Sequence, residues 1–198
     1  MPYSSVPDPY VDTETGLLKN LLGITSEKKL EDAEADITTA IIASLPDQPA
    51  LGDFDLDHLK NIHWELFNAI YSWAGEIRTV EMAKGNTRFA NSDAIEQAAT
   101  QLFDELHTEY LLKGLPREQY VNRLAHYYSE INILHTFREG NGRTERVFFS
   151  QLVAEAGYRL AWELMNAGEN LRACVAAYEG DESILARMLD DLIESSGK

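Results

Sequence analysis

The chain has 198 residues, 44% of them hydrophobic and 10% aromatic, enough for one compact domain spanning 1–198. Thirty-three acids against 17 bases give a formal net charge of −16, a surface that repels phosphate backbones and anionic lipids and so argues against nucleic acid or membrane as a bulk partner. One cysteine, Cys174, closes no intrachain disulfide and supports no cysteine-built zinc site. The cytosol is therefore the expected compartment, because no apolar stretch is long enough to span a bilayer and MPYSSVPDPYVD lacks a signal peptide's regions. Export as an effector by another route is the alternative.

Residues 1–16, rich in proline and polar groups, predict an irregular N-terminal arm. From Ser26 the set Leu30, Ala33, Ile37, Ile41 and Leu45 has helical spacing, with Pro46 placed to stop it. A second helix buries Leu59, Ile62, Leu66, Ile70 and Trp73, with aspartates 53, 55 and 57 at its positive end and Gly75 just beyond. The pattern then changes. IRTVEM, the turn-forming KGN at 84–86 and TRFAN predict a hairpin over 77–90.

Asp93 and Glu96 have capping-box spacing before a helix facing inward with Ile95, Ala99, Leu102, Leu106 and Tyr110. KGLP at 113–116 ends it. The next helix, about 117–134, uses Val121, Leu124, Tyr128 and Ile131, and a further one after Gly142 uses Val147, Phe148, Leu152 and Ala156 before Gly157. Shorter helices near 168–178 and 181–195 complete an all-α bundle with one hairpin on its rim. Residues 117–157 form its helix-loop-helix centre.

Positive charge gathers against the acidic trend at Arg138, Arg143 and Arg146, within HTFREGNGRTER at 135–146. A tight glycine loop opening a helix presents backbone amides and the positive dipole end to an anion. No GxxxxGK[ST] sequence is present, so an ordinary P-loop is not indicated. His135 has the chemistry of a general base. Glu139 offers a hard oxygen to Mg²⁺, Asn141 a donor to phosphate, and Arg143 and Arg146 forked donors. Phe137 is apolar and anchors the loop. Singly, such residues are ordinary: a histidine often only meets a helix dipole, and Gly-Asn-Gly is a common turn. Their concentration in one short segment is what points to chemistry.

These residues match H-x-F-x-[D/E]-G-N-G-R-x-x-R, and the chain resembles the Fic family there, in DPY at 8–10, LLKNLLGI at 17–24 and WAGEIRTV at 73–80. Thr136 stands where proline is common, for which a conformational effect at most is expected. The resemblance implies the Fic fold and protein adenylylation: a target hydroxyl attacks the α-phosphorus of Mg-ATP and pyrophosphate leaves. It implies His135 as base, Glu139 as Mg²⁺ ligand, Gly140, Asn141 and Gly142 at the α-phosphate, and Arg143 with Arg146 at the β- and γ-phosphates. The 77–90 hairpin becomes a flap that pairs with an extended target segment, with Thr87, Arg88 and Phe89 as docking residues.

Fic proteins are often restrained by a helix bearing [S/T]-x-x-x-E-[G/N]. The candidate pairs here, Glu139-Gly140, Glu169-Asn170 and Glu179-Gly180, follow His135, Met165 and Val175 at the required spacing, so none fits. The resemblance then implies a bacterial class I toxin silenced by a small antitoxin whose glutamate meets Arg146, with a type II topoisomerase subunit as first-choice target. The rival readings are a Fic-fold phosphotransferase or other nucleotidyl transferase, and a catalytically silent, antitoxin-bound module.

Overall fold

The computed structural model describes residues 8–45 and 49–195. Among them, helices α1 (Glu27–Ser44), α2 (Leu56–Phe67), α3 (Ile95–Thr108), α4 (Arg117–Leu134) and α5 (Asn141–Glu155) are followed by α6 (Ala167–Tyr178) and α7 (Ser183–Leu192). They share one apolar core, with Leu59, Ile62, Leu66, Leu124, Ala125, Phe148 and Leu152 almost completely buried. The stripe expected on α4 is buried, as are Val147, Phe148 and Leu152 of α5, whereas Ala156 lies just beyond that helix and is half-buried. No helix among the described residues is long and apolar enough to cross a membrane.

The arm over 8–16 is irregular as expected, with turns and a single bridge from Val11 to Leu18; residues 1–7 and Pro46 lie outside the described residues. α1 follows its predicted span, but its buried face is rotated. Of the five apolar positions only Leu30 is fully buried, and Glu34 and Thr38 take the deep positions. The reason is a charged partner on α5, described below.

α2 begins where the aspartates suggested, with the Asp55 side chain accepting from the His58 amide at 2.8 Å. It ends at Phe67, earlier than the spacing implied. The Asn68 side chain donates to the Trp64 carbonyl at 2.7 Å, so Ile70 and Trp73 belong to the following turns and not to the helix. The capping box at Asp93 is not formed. A single 3₁₀ turn over Ser92–Ala94 precedes α3, and Ser92 instead gives both its amide and its hydroxyl to the Glu81 carboxylate, at 2.8 and 2.7 Å. Tyr110, expected inside, is 80% exposed because the chain has already left the helix in a left-handed conformation.

The hairpin is shorter than predicted, with β1 (Ala83–Lys84) antiparallel to β2 (Thr87–Arg88) around Gly85. A second small sheet was not foreseen: β3 (Tyr158–Leu160) pairs antiparallel with β4 (Ile193–Ser195), which replaces the end of the last expected helix. Leu160 and Ile193 are opposite one another and buried, so pairing the tail with β3 removes apolar area that a solvated helical end would expose.

Glu145 of α5 is buried, and loss of hydration pushes its carboxyl up to about 8, only partly opposed by Arg146. It lies close enough to Tyr128 and Cys174 to oppose their ionisation. Folding therefore raises this pKa, so the site's contribution is complete below the ordinary value of 4.5 and declines as pH rises towards 8. Glu145→Gln is expected to abolish that decline. Chemical denaturation of both proteins across this range should show the variant gaining on the wild type with rising pH, by at most about 1.4 kcal/mol per unit; parallel curves would contradict the assignment.

Candidate active site

The polar motif is the turn between α4 and α5. α4 ends at His135, which adopts φ 44° and ψ 58° and returns its amide to the Ile131 carbonyl at 3.2 Å. A left-handed residue is a common way to end a helix, but it is usually glycine, since a β-carbon is disfavoured there. What holds His135 in this state is Arg78. That side chain, 1% exposed, donates from Nε to the His135 carbonyl at 2.7 Å and from Nη2 to the Leu134 carbonyl at 3.3 Å. Its remaining donors reach Val80 and Ala90 at the two ends of the hairpin, and its amide reaches the Thr136 carbonyl at 2.9 Å. One guanidinium thus caps α4 and ties the hairpin to it.

The His135 ring lies flat against Phe89, with centroids 3.7 Å apart and planes 8° from parallel. Burial pushes its pKa down to about 4; the Asn132 backbone opposes the shift, and the positive charges of Arg78 and Lys84 add to it. The ring is therefore neutral at physiological pH. Its Nδ1 is buried and has no hydrogen-bond partner among the described residues.

Beyond His135, Phe137 is buried and stacks on His63 with centroids 3.8 Å apart, as an anchor should. His63 accepts the Gly75 amide at Nδ1 (2.8 Å), which leaves its Nε2 hydrogen for the Glu139 carbonyl at 3.0 Å. Burial holds this ring neutral as well, at about 4. Asn141 closes the loop: its Oδ1 accepts the Phe137 amide at 2.8 Å and its Nδ2 donates to the Phe137 carbonyl at 2.7 Å. The side chain expected to face a phosphate thus gives one of its two Nδ2 hydrogens to the turn.

Gly140 precedes α5 with φ 82°, and a β-carbon there would come within 2.3 Å of the Phe67 ring. Only glycine satisfies both the conformation and the space. The first inward helical bond is from the Thr144 amide to the Gly140 carbonyl at 3.1 Å. The amides of Asn141, Gly142 and Arg143 therefore have no acceptor among the described residues, and they add to the positive end of the helix dipole.

The arginines separate in role. Arg138 pairs with Asp8 of the DPY segment at 2.9 Å, and Arg143 pairs with Glu34 of α1 and approaches Glu139 at 3.4 Å. Arg146 has no ion pair among the described residues, and its Nη1 lies over Gly142. Glu139 uses Oε1 for the Gly140 amide at 2.8 Å and for Arg143, while Oε2 makes no hydrogen bond among the described residues. Of the flap residues, Thr87 and Arg88 lie on β2, with the Arg88 amide 3.4 Å from the Tyr178 hydroxyl, whereas Phe89 is engaged with His135. Thr136 is buried, and its hydroxyl has no hydrogen-bond partner among the described residues.

The model of the Fic/DOC family matches residues 53–153, just over half of the chain. The chain belongs to the Fic/DOC family. Across 96% of its length it is 35% identical to the probable protein adenylyltransferase Fic of Escherichia coli K12, covering 94% of that protein. It is 40% identical to the protein adenylyltransferase VbhT of Bartonella schoenbuchensis over 94% of its own length, but spans only 39% of VbhT. Two solved structures superpose closely. The BepC protein of Bartonella tribocorum with bound AMPPNP matches at TM-score 0.87 and 25% identity, covering 95% of this chain and 97% of that one. A Fic domain of Bartonella quintana with bound ADP matches at TM-score 0.88 and 27% identity, with 94% of each chain covered. The all-α Fic fold expected from the motif is thus the observed one.

Arg78 and His63 carry this Fic loop, yet neither stood out in sequence: both lie outside the 135–146 motif, among other polar residues, and reach it only through the fold. Replacing Arg78 by leucine strips donors from four carbonyls at once. The expected result is a loss of roughly 3 kcal/mol or more in denaturant unfolding, and a variant as stable as the parent would show that the latch is dispensable.

Proposed function

We infer that this chain is a protein adenylyltransferase that moves AMP from ATP to a hydroxyl of a target protein. The observation that carries the inference is the combination, on one short turn, of a neutral His135 and three amides left without acceptors. In the proposed reaction the target oxygen bonds to the α-phosphorus and the bond from that phosphorus to the bridging oxygen breaks. Pyrophosphate leaves, and His135 takes the hydroxyl proton. A base that is neutral at working pH needs no prior deprotonation. The amides of Asn141, Gly142 and Arg143 would receive the phosphate charge that builds up in flight, and their fixed orientation makes the stabilisation cheap in reorganisation.

Glu139 fits an Mg²⁺ ligand, since Oε2 is uncommitted and an oxygen donor suits a hard cation that takes its other ligands from phosphates and water. That ion would supply charge neutralisation at the triphosphate. Arg146, without an ion pair among the described residues, is our choice for the outer phosphates, with Arg143 beside it. The relatives named as adenylyltransferases and the nucleotide-bound neighbours support the same reading.

We further propose that the chain acts as the toxin of a toxin–antitoxin pair in the bacterial cytoplasm, because Arg146 is open to a carboxylate supplied by another protein. The flap, with Thr87 and Arg88, would register an extended segment of the target, for which type II topoisomerase subunits are the first candidates. Phe89 is better suited to holding His135 than to docking.

The test uses ATP labelled at the α- or γ-phosphate, Mg²⁺, bacterial lysate and purified topoisomerase subunits, with a His135→Ala control. Label from the α-position should enter a protein band and fall at least about 100-fold in the control. Transfer from the γ-position alone would identify a phosphotransferase, and equal labelling by the control would remove His135 from the chemistry.

A further inference from the structure

Burying a carboxylate on the face of a helix is costly unless it is paired and hydrogen-bonded, yet Glu34 of α1 is 8% exposed. Both of its oxygens are engaged. Oε1 accepts from Arg143 Nη2, and Oε2 accepts from the hydroxyl of Tyr71, a residue 2% exposed. Burial and the Glu34 charge keep that phenol protonated, so it remains a donor. The Arg143 guanidinium is fixed on its other sides too: Nη1 lies 3.4 Å from the Thr38 hydroxyl, and its plane covers the Phe67 ring at 4.9 Å. The same Nη2 lies 3.4 Å from Glu139 Oε1. A chain of contacts therefore runs from Tyr71 through Glu34 and Arg143 to Glu139.

We propose that Glu34 is a positioning residue: by holding Arg143 on the α1 side of the loop, it sets the Glu139 carboxylate with Oε1 turned to the protein and Oε2 left for a divalent cation. The proposal rests on the adenylyl-transfer reading, in which Glu139 is the cation's protein ligand. It makes Arg143 primarily a brace and leaves Arg146 as the main phosphate arginine. Without the α1 carboxylate, Arg143 would be drawn to the nearest other anion, which is Glu139 itself or a phosphate. Either move takes an oxygen away from the cation.

The test compares the full chain with its Glu34→Gln and Tyr71→Phe variants. Bound Mn²⁺ is counted by electron paramagnetic resonance in the presence of AMPPNP, AMPPNP affinity without metal is measured by calorimetry, and AMP transfer is followed against Mg²⁺ concentration. Glu34→Gln should need about 10-fold more Mn²⁺ for half-occupancy, the size of effect seen when a partner of a metal ligand is removed. Its metal-free AMPPNP affinity should stay within about 2-fold, and kcat should recover at saturating Mg²⁺. Tyr71→Phe should shift Mn²⁺ binding in the same direction by a smaller factor, and it carries the comparison if Glu34→Gln does not fold.

A lowered melting temperature with unchanged Mn²⁺ binding would reduce Glu34 to a strut and overturn the proposal. Tighter AMPPNP binding and faster transfer would also overturn it, because Glu34 would then be withholding Arg143 from phosphate. Failure of the wild type itself to bind Mn²⁺ with AMPPNP would strike the adenylyl-transfer reading first, and the proposal with it.

Discussion

The structure turns on a single capping problem at the end of α4. A helix leaves its last carbonyls without donors, and here the chain must also reverse at once to start α5 on the same core. His135 takes the left-handed state that stops α4, and the Arg78 guanidinium supplies the donors that the stopped helix lacks. Because the same guanidinium grips Val80 and Ala90, the hairpin is carried to the site by the residue that terminates the helix. Phe89 then covers the imidazole, and burial keeps it neutral. Helix ending and hairpin placement therefore follow from one buried cation, whose charge adds to the burial that keeps the His135 ring neutral.

The motif loop is rigid for similarly local reasons. Asn141 closes it against Phe137, Phe137 stacks on His63, and His63 holds the Glu139 carbonyl while Gly140 admits the Phe67 ring. These contacts leave the first amides of α5 without an acceptor among the described residues. An anion bound there would replace no existing protein hydrogen bond, which is the arrangement that electrostatic preorganisation requires. The basic island read from the sequence is largely neutralised by Asp8, Glu34 and Glu139. Among the described residues, the first amides of α5 and the Arg146 side chain are left without an anionic partner within a chain of net charge −16.

How much of this could be read from the residues followed from how far apart they are in the chain. HTFREGNGRTER is contiguous, so its parts announce one another, and the apolar stripe of α4, with Val147, Phe148 and Leu152 of α5, is regular enough to give the inner faces. Arg78, His63 and Glu34 each act on a residue 56 or more positions away, and a hydrophobicity pattern assigns a lone charge to the surface. That is why α1 was expected to turn Ile37 and Ile41 inward when Glu34 and Thr38 are the buried pair. The short strand β4 was missed for a related reason: its partner β3 begins 35 positions earlier, and three residues show no periodicity of their own.

The account stands or falls on His135 being a buried, neutral imidazole held by Arg78 and Phe89. Its most direct test is an NMR pH titration of the imidazole nitrogens in selectively labelled protein, comparing the wild type with Phe89→Ala. A pKa lowered by folding means that the neutral ring is kept as pH falls below the ordinary 6.5, and is lost only near 4. The account predicts a His135 signal that stays neutral down to about pH 5, and a pKa that moves back towards 6.5 once Phe89 is removed. A wild-type His135 that titrates near 6.5, unaffected by Phe89, would contradict it.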